Sequence, residues 1–253
     1  MIQLDSVTFN YPSGPAIFSN FTWEVKRGEA WAVIGSSGCG KSTLLYLLAG
    51  LRFPASGRVL VEGKSLTRPR PYTGLIIQEY GLLPWATVRQ NAALGQHIRQ
   101  FYGPDGTHAP LKLPPAADVE EWLERLGLQG VANQYPSKIS GGQRQRTAIA
   151  RTLSLHPDLL LMDEPFSSVD APTREDLQTL PMELCREKQI TLVIVTHAIE
   201  EAAVLGKKIL LLEGPPNLQP VVIVNEGAEQ PQYRVSSQYQ AVCRELRERM
   251  QTV

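Results

Sequence analysis

Apolar and polar positions change rhythm several times along the chain, and each change predicts an element. In IQLDSVTFNY, from Ile2, and FTWEVKRGE, from Phe21, the two kinds alternate, as in half-buried strands. AWAVIG, ending at Gly35, is a short continuous apolar run that predicts a buried strand, and it feeds directly into GSSGCGKSTLLYLLAGL. There a glycine-rich turn leads into a helix whose Leu44, Leu45, Leu47 and Leu48 fall at helical spacing, with Gly50 near its end. GRVLVEGKSL reads as a strand pair about a glycine turn, and GLIIQ as a buried strand ending at Gln78. Thr87 and Gln90 form a T-x-x-Q capping box that opens a helix through Leu94 and Ile98.

Residues 103–117, GPDGTHAPLKLPPAA, combine proline and glycine without an apolar period and predict an exposed loop between helices. A helix resumes in DVEEWLERLGL with Asp118 as its cap. DLLLMDEP and ITLVIVTH are apolar runs of strand length without alternation, as in parallel strands covered on both faces. A mostly helical stretch from about Leu82 to Leu155 interrupts the strands, so the expectation is an α/β core with an inserted helical lobe. The tail SQYQAVCRELRERM has helical spacing and many charges and predicts a solvated surface helix.

Composition narrows the function classes. The 253 residues can bury a substantial core, and 25 Lys plus Arg balance 25 Asp plus Glu, so bulk charge points away from a nucleic-acid partner. Cys39, Cys185 and Cys243 form no C-x-x-C pair and are odd in number, which favours free thiols in a reducing compartment. The N-terminal residues lack a basic region followed by an apolar one, and no window reaches the roughly 18 apolar residues of a membrane span. A cytosolic chain is expected.

The chemistry-bearing residues sit where these strands end. GSSGCGKST matches G-x-x-x-x-G-K-[ST], with Gly35, Ser36, Ser37, Gly38, Cys39 and Gly40 leading to Lys41, Ser42 and Thr43. Glycines let backbone N–H groups converge on phosphate oxygens, the helix N-terminus adds positive dipole, Lys41 neutralises the β and γ groups, and Ser42 can ligate magnesium. Asp163 and Glu164 follow the run LLLM at the carboxyl end of a buried strand, where ligands bind in open α/β sheets. Asp163 would hold magnesium and Glu164 would orient and polarise the water attacking the γ-phosphate. His197 ends another such strand and becomes a γ-phosphate contact, while Gln78, placed in the same way, can bridge magnesium and that water.

A second anion-gripping loop lies in KISGGQRQR. Ser140 and Gln143 satisfy a capping box, but Gly141 and Gly142 cost helix stability and are worth having where a ligand approaches backbone. Two phosphate-gripping loops of different kinds imply one nucleotide touched by both, and a symmetric dimer supplies the geometry, each serine loop closing on the other chain's ATP.

In this order the motifs resemble the nucleotide-binding subunit of an ATP-binding cassette (ABC) transporter, over roughly Ile2 to Glu213. GSSGCGKST is similar to the Walker A loop, Gln78 to the Q-loop, ISGGQ to the signature, LLLMDEP to Walker B, SSVD to the D-loop and His197 to the switch histidine. Ile139 and Ser168 depart from the commoner leucine and alanine without threatening hydrolysis. The resemblance implies a P-loop NTPase α/β core with an antiparallel β subdomain and an inserted helical subdomain. It would place a nucleotide-binding domain at residues 1–215, with its helical part at about 82–155, and a C-terminal extension at 216–253 packed on or flanking it. It further implies that Tyr11 stacks on adenine, that Asp170 of the D-loop meets the bound nucleotide, and that ATP and Mg2+ are the cofactors.

LLPW after Gln78, TREDLQ after Asp170 and the short charged tail look like the importers of nitrate, sulfonates, taurine and related solutes. That group implies two copies of the chain at the cytoplasmic face of a prokaryotic membrane, two membrane-spanning permease subunits and an external solute-binding protein. Rival readings are an ABC exporter ATPase, expected to be fused to membrane helices, and a soluble ABC remodelling protein, expected to carry two cassettes or a long coiled-coil insertion.

Overall fold

The alternation near the start of the chain becomes an antiparallel sheet. In the computed structural model, which describes residues 1–102, 118–167, 171–230 and 232–251, β1 (Ile2–Asn10) pairs with β2 (Ala16–Val25), Ile2 opposite Val25 and Phe9 opposite Phe18. β4 (Ser56–Val61) takes the other side of β1, and β5 (Lys64–Ser65) pairs with β4 across the glycine turn. Leu4, Phe21, Trp23 and Val25 point to one face and are buried, which is what a period of two on a one-sided sheet requires.

The continuous apolar runs make the second sheet. β3 (Ala30–Gly35), β6 (Thr73–Ile76), β7 (Leu159–Asp163), β8 (Thr191–Val195) and β9 (Lys208–Leu212) are parallel, and β10 (Val221–Val224) closes one edge antiparallel to β9. The strand order is β10-β9-β3-β8-β7-β6. Every residue of β3, β7 and β8 is buried because both faces are covered. α1 (Lys41–Leu48) fills one side, its leucines packing with Ile2 and Phe21 of the first sheet and Val33 and Val193 of the second.

The other face carries α4 (Gly141–Leu153), α5 (Ala171–Lys188) and α6 (Ile199–Leu205), with α2 (Val88–Tyr102) and α3 (Val119–Arg125) packed on α4. α2, α3 and α4 separate β6 from β7, as the interrupted strand series predicts. Both expected caps are formed: Gln90 N–H donates to Thr87 Oγ1 and Thr87 N–H to Gln90 Oε1 at 3.3 and 2.9 Å, while Asp118 accepts from Glu120 N–H at 2.9 Å. The fully buried Asn91 accepts from Leu83 N–H at 2.8 Å and donates to Leu83, Ala86 and Thr87 carbonyls, which ties the segment before α2 to the helix.

Two expectations need correction. β6 ends at Ile76 rather than Gln78, because Tyr80 N–H donates to Ile77 O at 2.8 Å and the chain turns through positive φ at Tyr80 and Gly81. The tail helix, α7 (Ser237–Gln251), is not simply solvated: Val242, Cys243 and Leu246 pack against Ala202 and Ala203 of α6, Ile209 and Ile223. Three apolar residues at i, i+1 and i+4 suffice for that contact despite the charged remainder. All three cysteines are free and buried. The predicted loop at 103–117 lies outside the described residues. Among the described residues no helix is long and apolar enough to cross a membrane.

Candidate functional site

Parallel register brings the predicted residues to one edge. Asp163 pairs with Val195 and Val195 with Val33, so β7 and β8 end at one level beside β3, two residues before His197 and before Gly35, the last residue of β3. The loop from Gly35 to Gly40 wraps this edge and opens α1 at Lys41. Gly38 and Gly40 have φ of +80° and +110°, which side-chain-bearing residues rarely adopt, and a Cβ on Gly40 would also lie 2.6 Å from Ile17 Cγ2. Gly40, the N-cap of α1, has no side chain to cap it, so the first N–H groups and the dipole face a cleft of about 420 Å3. Tyr11, Ser37, Lys41, Thr43, Glu164 and His197 are among the residues lining it.

Lys41 is almost wholly buried, and its ammonium donates to the carbonyls of Gly35 and Ser36 at 2.8 and 2.9 Å. Those partners are neutral, which leaves the charge for an anion in the cleft. Beneath the loop, burial pushes the Cys39 thiol above its ordinary range against the opposing pull of Lys41. Tyr11 stands at the rim, its hydroxyl 3.2 Å from Thr43 Oγ1 and its ring edge-on to Phe9.

At the floor, Ser42 Oγ donates to Asp163 Oδ1 at 3.3 Å. Burial raises the Asp163 carboxyl above the usual aspartate range, with the Ser42 hydroxyl and Lys41 pulling it down and Glu164 pushing it further up. Glu164 leaves the strand at φ +44°, a left-handed conformation uncommon for a side-chain-bearing residue. It is held there by its N–H donating to Val195 O at 2.9 Å and by Ser167 donating twice to its carbonyl. The turn aims the Glu164 carboxylate at His197, whose Nδ1 is 3.1 Å from Oε2, and Gln78 Nε2 donates to the same oxygen at 3.4 Å. Gln78, beyond β6, and His197, beyond β8, thus converge on the carboxylate of Glu164, beyond β7.

The serine loop lies elsewhere. Ser140 is the exposed N-cap of α4; its Oγ accepts from Gln143 N–H at 3.2 Å and its N–H donates to Gln143 Oε1 at 2.9 Å. None of Ser140, Gly141, Gly142 and Gln143 lines the cleft formed by the first loop. Asp170 falls outside the described residues. One supporting residue is not read from the sequence: the buried Asn217, beyond β9, donates to Cys39 O at 2.7 Å and Ile17 O at 3.0 Å, bracing the loop from behind. Its setting in PPNLQP reads only as a turn.

Comparison with known proteins identifies the family of this fold. A profile of the ABC transporter family matches residues 18–167. The nitrate import ATP-binding protein of Synechococcus elongatus is 40% identical over 229 residues, covering 90% of this chain, although this chain spans only 34% of that protein's length. An aliphatic sulfonates import ATP-binding protein of Bacillus cereus is 36% identical over 230 residues, 91% of this chain and 86% of the relative. A solved ATP-binding cassette, dimeric in a post-hydrolysis state with ADP and Pi bound, superposes with a TM-score of 0.73 at 28% identity, covering 88% of this chain and 98% of its own. The chain belongs to the ABC transporter family, and its fold is that of an ATP-binding cassette.

Proposed function

We propose that this chain is the ATP-hydrolysing subunit of an importer for a small solute of the nitrate, sulfonate or taurine kind. The single observation that carries the hydrolytic reading is Glu164, turned out of β7 and held between His197 and Gln78 above the loop cleft. The solute class rests on the two importer relatives.

In this reading Lys41 and the N–H groups from Gly38 to Thr43, with Ser36 and Ser37 at the loop's outer edge, hold the β and γ phosphates of ATP. Tyr11 offers its ring to the adenine. Ser42, Asp163 and Gln78 each carry a side-chain oxygen, a donor set that suits magnesium, and the buried Asp163 carboxylate would gain most from a cation beside it. When bound, Mg2+ supplies charge neutralisation on the phosphate oxygens. Glu164 orients the attacking water and accepts its proton, while His197 fixes the carboxylate and reaches the γ-phosphate. Ser140, Gly141, Gly142 and Gln143, lying outside their own cleft, serve the ATP of a second copy, and Asp170 joins the same interface.

Residues 1–215 act as the nucleotide-binding domain, with 82–155 as its moving lobe and 216–253 built onto it. Exposed Ile77 and Trp85, flanking the half-buried Leu82 and Leu83, offer an apolar surface beside Gln78 to membrane-spanning permease subunits, so the chain works at the cytoplasmic face with an external solute-binding protein upstream. The test is phosphate release and light scattering on the purified chain and its Glu164→Gln variant. The proposal expects ATP to double the mass of Glu164→Gln and hydrolysis to need Glu164. Hydrolysis undiminished in that variant would overturn it.

A further inference from the structure

The guanidinium of Arg151 is tied by two hydrogen bonds to the turn that follows Gln78. Arg151 sits in the last turns of α4, ten residues along from Gly141, a rise of about 15 Å from the signature end of that helix. Its Nη1 donates to Gly81 O and its Nη2 to Tyr80 O, both at 2.6 Å. The chain that receives these bonds is the stretch in positive φ, +63° at Tyr80 and +58° at Gly81, that begins two residues after Gln78. Burial pulls the Arg151 pKa below its ordinary value, as expected where a charge is withdrawn from water. The partly buried guanidinium is met here by two carbonyls rather than by a carboxylate, so the contact is not an ion pair.

We propose that Arg151 is a positioning residue that makes the helical lobe follow the Q-loop, so that ATP contact at Gln78 reorients α4 and with it Ser140 at the far end. The bidentate fork grips two consecutive carbonyls of a turn that cannot relax into strand or helix without losing both bonds. Tyr80 is itself buried in the core shared by α2, α3 and α4, with Ile76, Val88, Trp122 and Ala150 in the same cluster, so any shift of the turn is felt in the lobe. α4 is a continuous helix between the two loops and transmits the shift as a rod. The inference rests on the proposed reading of Gln78 as an ATP-sensing residue.

Amide hydrogen exchange with and without MgATP tests it on the full chain in a Glu164→Gln background, comparing Arg151 with Arg151→Met and Arg151→Lys. The reporters are residues 36–43 for ATP itself, and residues 88–96 and 144–153 for the lobe. In the parent, ATP should slow exchange at 36–43 and change exchange in the lobe by about fivefold or more. Arg151→Met should keep the first effect and lose the second, and Arg151→Lys, which cannot bridge both carbonyls, should retain only part of it. If Arg151→Met does not fold, the Lys variant decides alone. A lobe response equal to the parent's in the variants, with ATP still protecting 36–43, would overturn the inference and leave the ATPase reading standing. Absence of protection at 36–43 in the parent would instead sink that reading, and this inference with it.

Discussion

Glu164 and His197 meet at 3.1 Å, carboxylate oxygen to imidazole Nδ1, although they come from the ends of different strands, β7 and β8. The pairing follows from register, since Asp163 lies beside Val195 and the left-handed turn at Glu164 swings its side chain across the neighbouring strand end. Substituting His197→Ala removes the group that steadies the carboxylate and leaves the proposed phosphate loop intact. Phosphate release should fall by about 10²-fold or more while ATP affinity changes little. Steady-state assays paired with equilibrium binding of ATP separate the two effects.

Glu164→Gln keeps the shape and the left-handed turn and deletes the proposed base. Turnover should drop by about 10²- to 10⁴-fold, with ATP retained on the protein after gel filtration. Rapid release of ADP by this variant would show that another group activates the water.

How far these roles were legible depended on whether the chemistry was local. The Walker A loop and its flanking strand and helix are contiguous, so period and glycine placement announce them, and the same holds for the capping boxes at Thr87 and Ser140. The order β10-β9-β3-β8-β7-β6 is not local: β3 finds its neighbours more than 150 residues away, and no spacing in the sequence encodes that. The end of β6 was misplaced because Gln78 continues an apolar run, whereas the turn is set by Tyr80, Gly81 and an arginine from a distant helix. Arg151 and Asn217 left no signal because each acts on the backbone of a remote segment. A charged residue in a helix reads as solvent-facing until its partner is known.

Ser140 caps α4 and, in the proposed dimer, meets the partner's ATP, and substitution can separate the two. Ser140→Ala removes the cap on Gln143 N–H and should lower stability by about 1 kcal/mol, with binding of ATP to the isolated chain unchanged. Ser140→Arg should go further and abolish the ATP-dependent dimer of Glu164→Gln, because a bulky cation replaces the hydroxyl meant for the partner's phosphate. Light scattering at fixed ATP reads the dimer, and a thermal melt reads the cap.

Tyr11 is expected to contribute through its ring. Its hydroxyl lies 3.2 Å from Thr43 Oγ1, a single neutral contact, so Tyr11→Phe should hold ATP affinity within about twofold. Tyr11→Ala removes the stacking face, worth about 1–3 kcal/mol for an aromatic against a base, and should weaken ATP by about 5- to 150-fold. Competition with a fluorescent ATP analogue gives both values, and equal losses in the two variants would assign the effect to the hydroxyl.

Acid sensitivity of the sheet should run through Glu29, at the entrance to β3. Burial pushes the Glu29 carboxyl up, but the Lys208 ammonium at 2.6 Å, the Trp31 indole N–H at 2.7 Å and the Lys26 amide at 3.0 Å together bring it below its ordinary value of 4.5. A carboxyl whose folded pKa lies below its unfolded one binds fewer protons in the native state. Its stabilisation is therefore complete above 4.5 and is lost as pH falls from there through the folded-state pKa. Glu29→Gln keeps the size and one acceptor but forfeits the ion pair that joins the start of β3 to the start of β9. At pH 7 it should cost about 1–2 kcal/mol, or roughly 2–6 °C in melting temperature. The gap between the two proteins should narrow steadily once the pH drops below 4.5, whereas a gap that stays constant down to pH 3 would mean Glu29 acts there by packing alone.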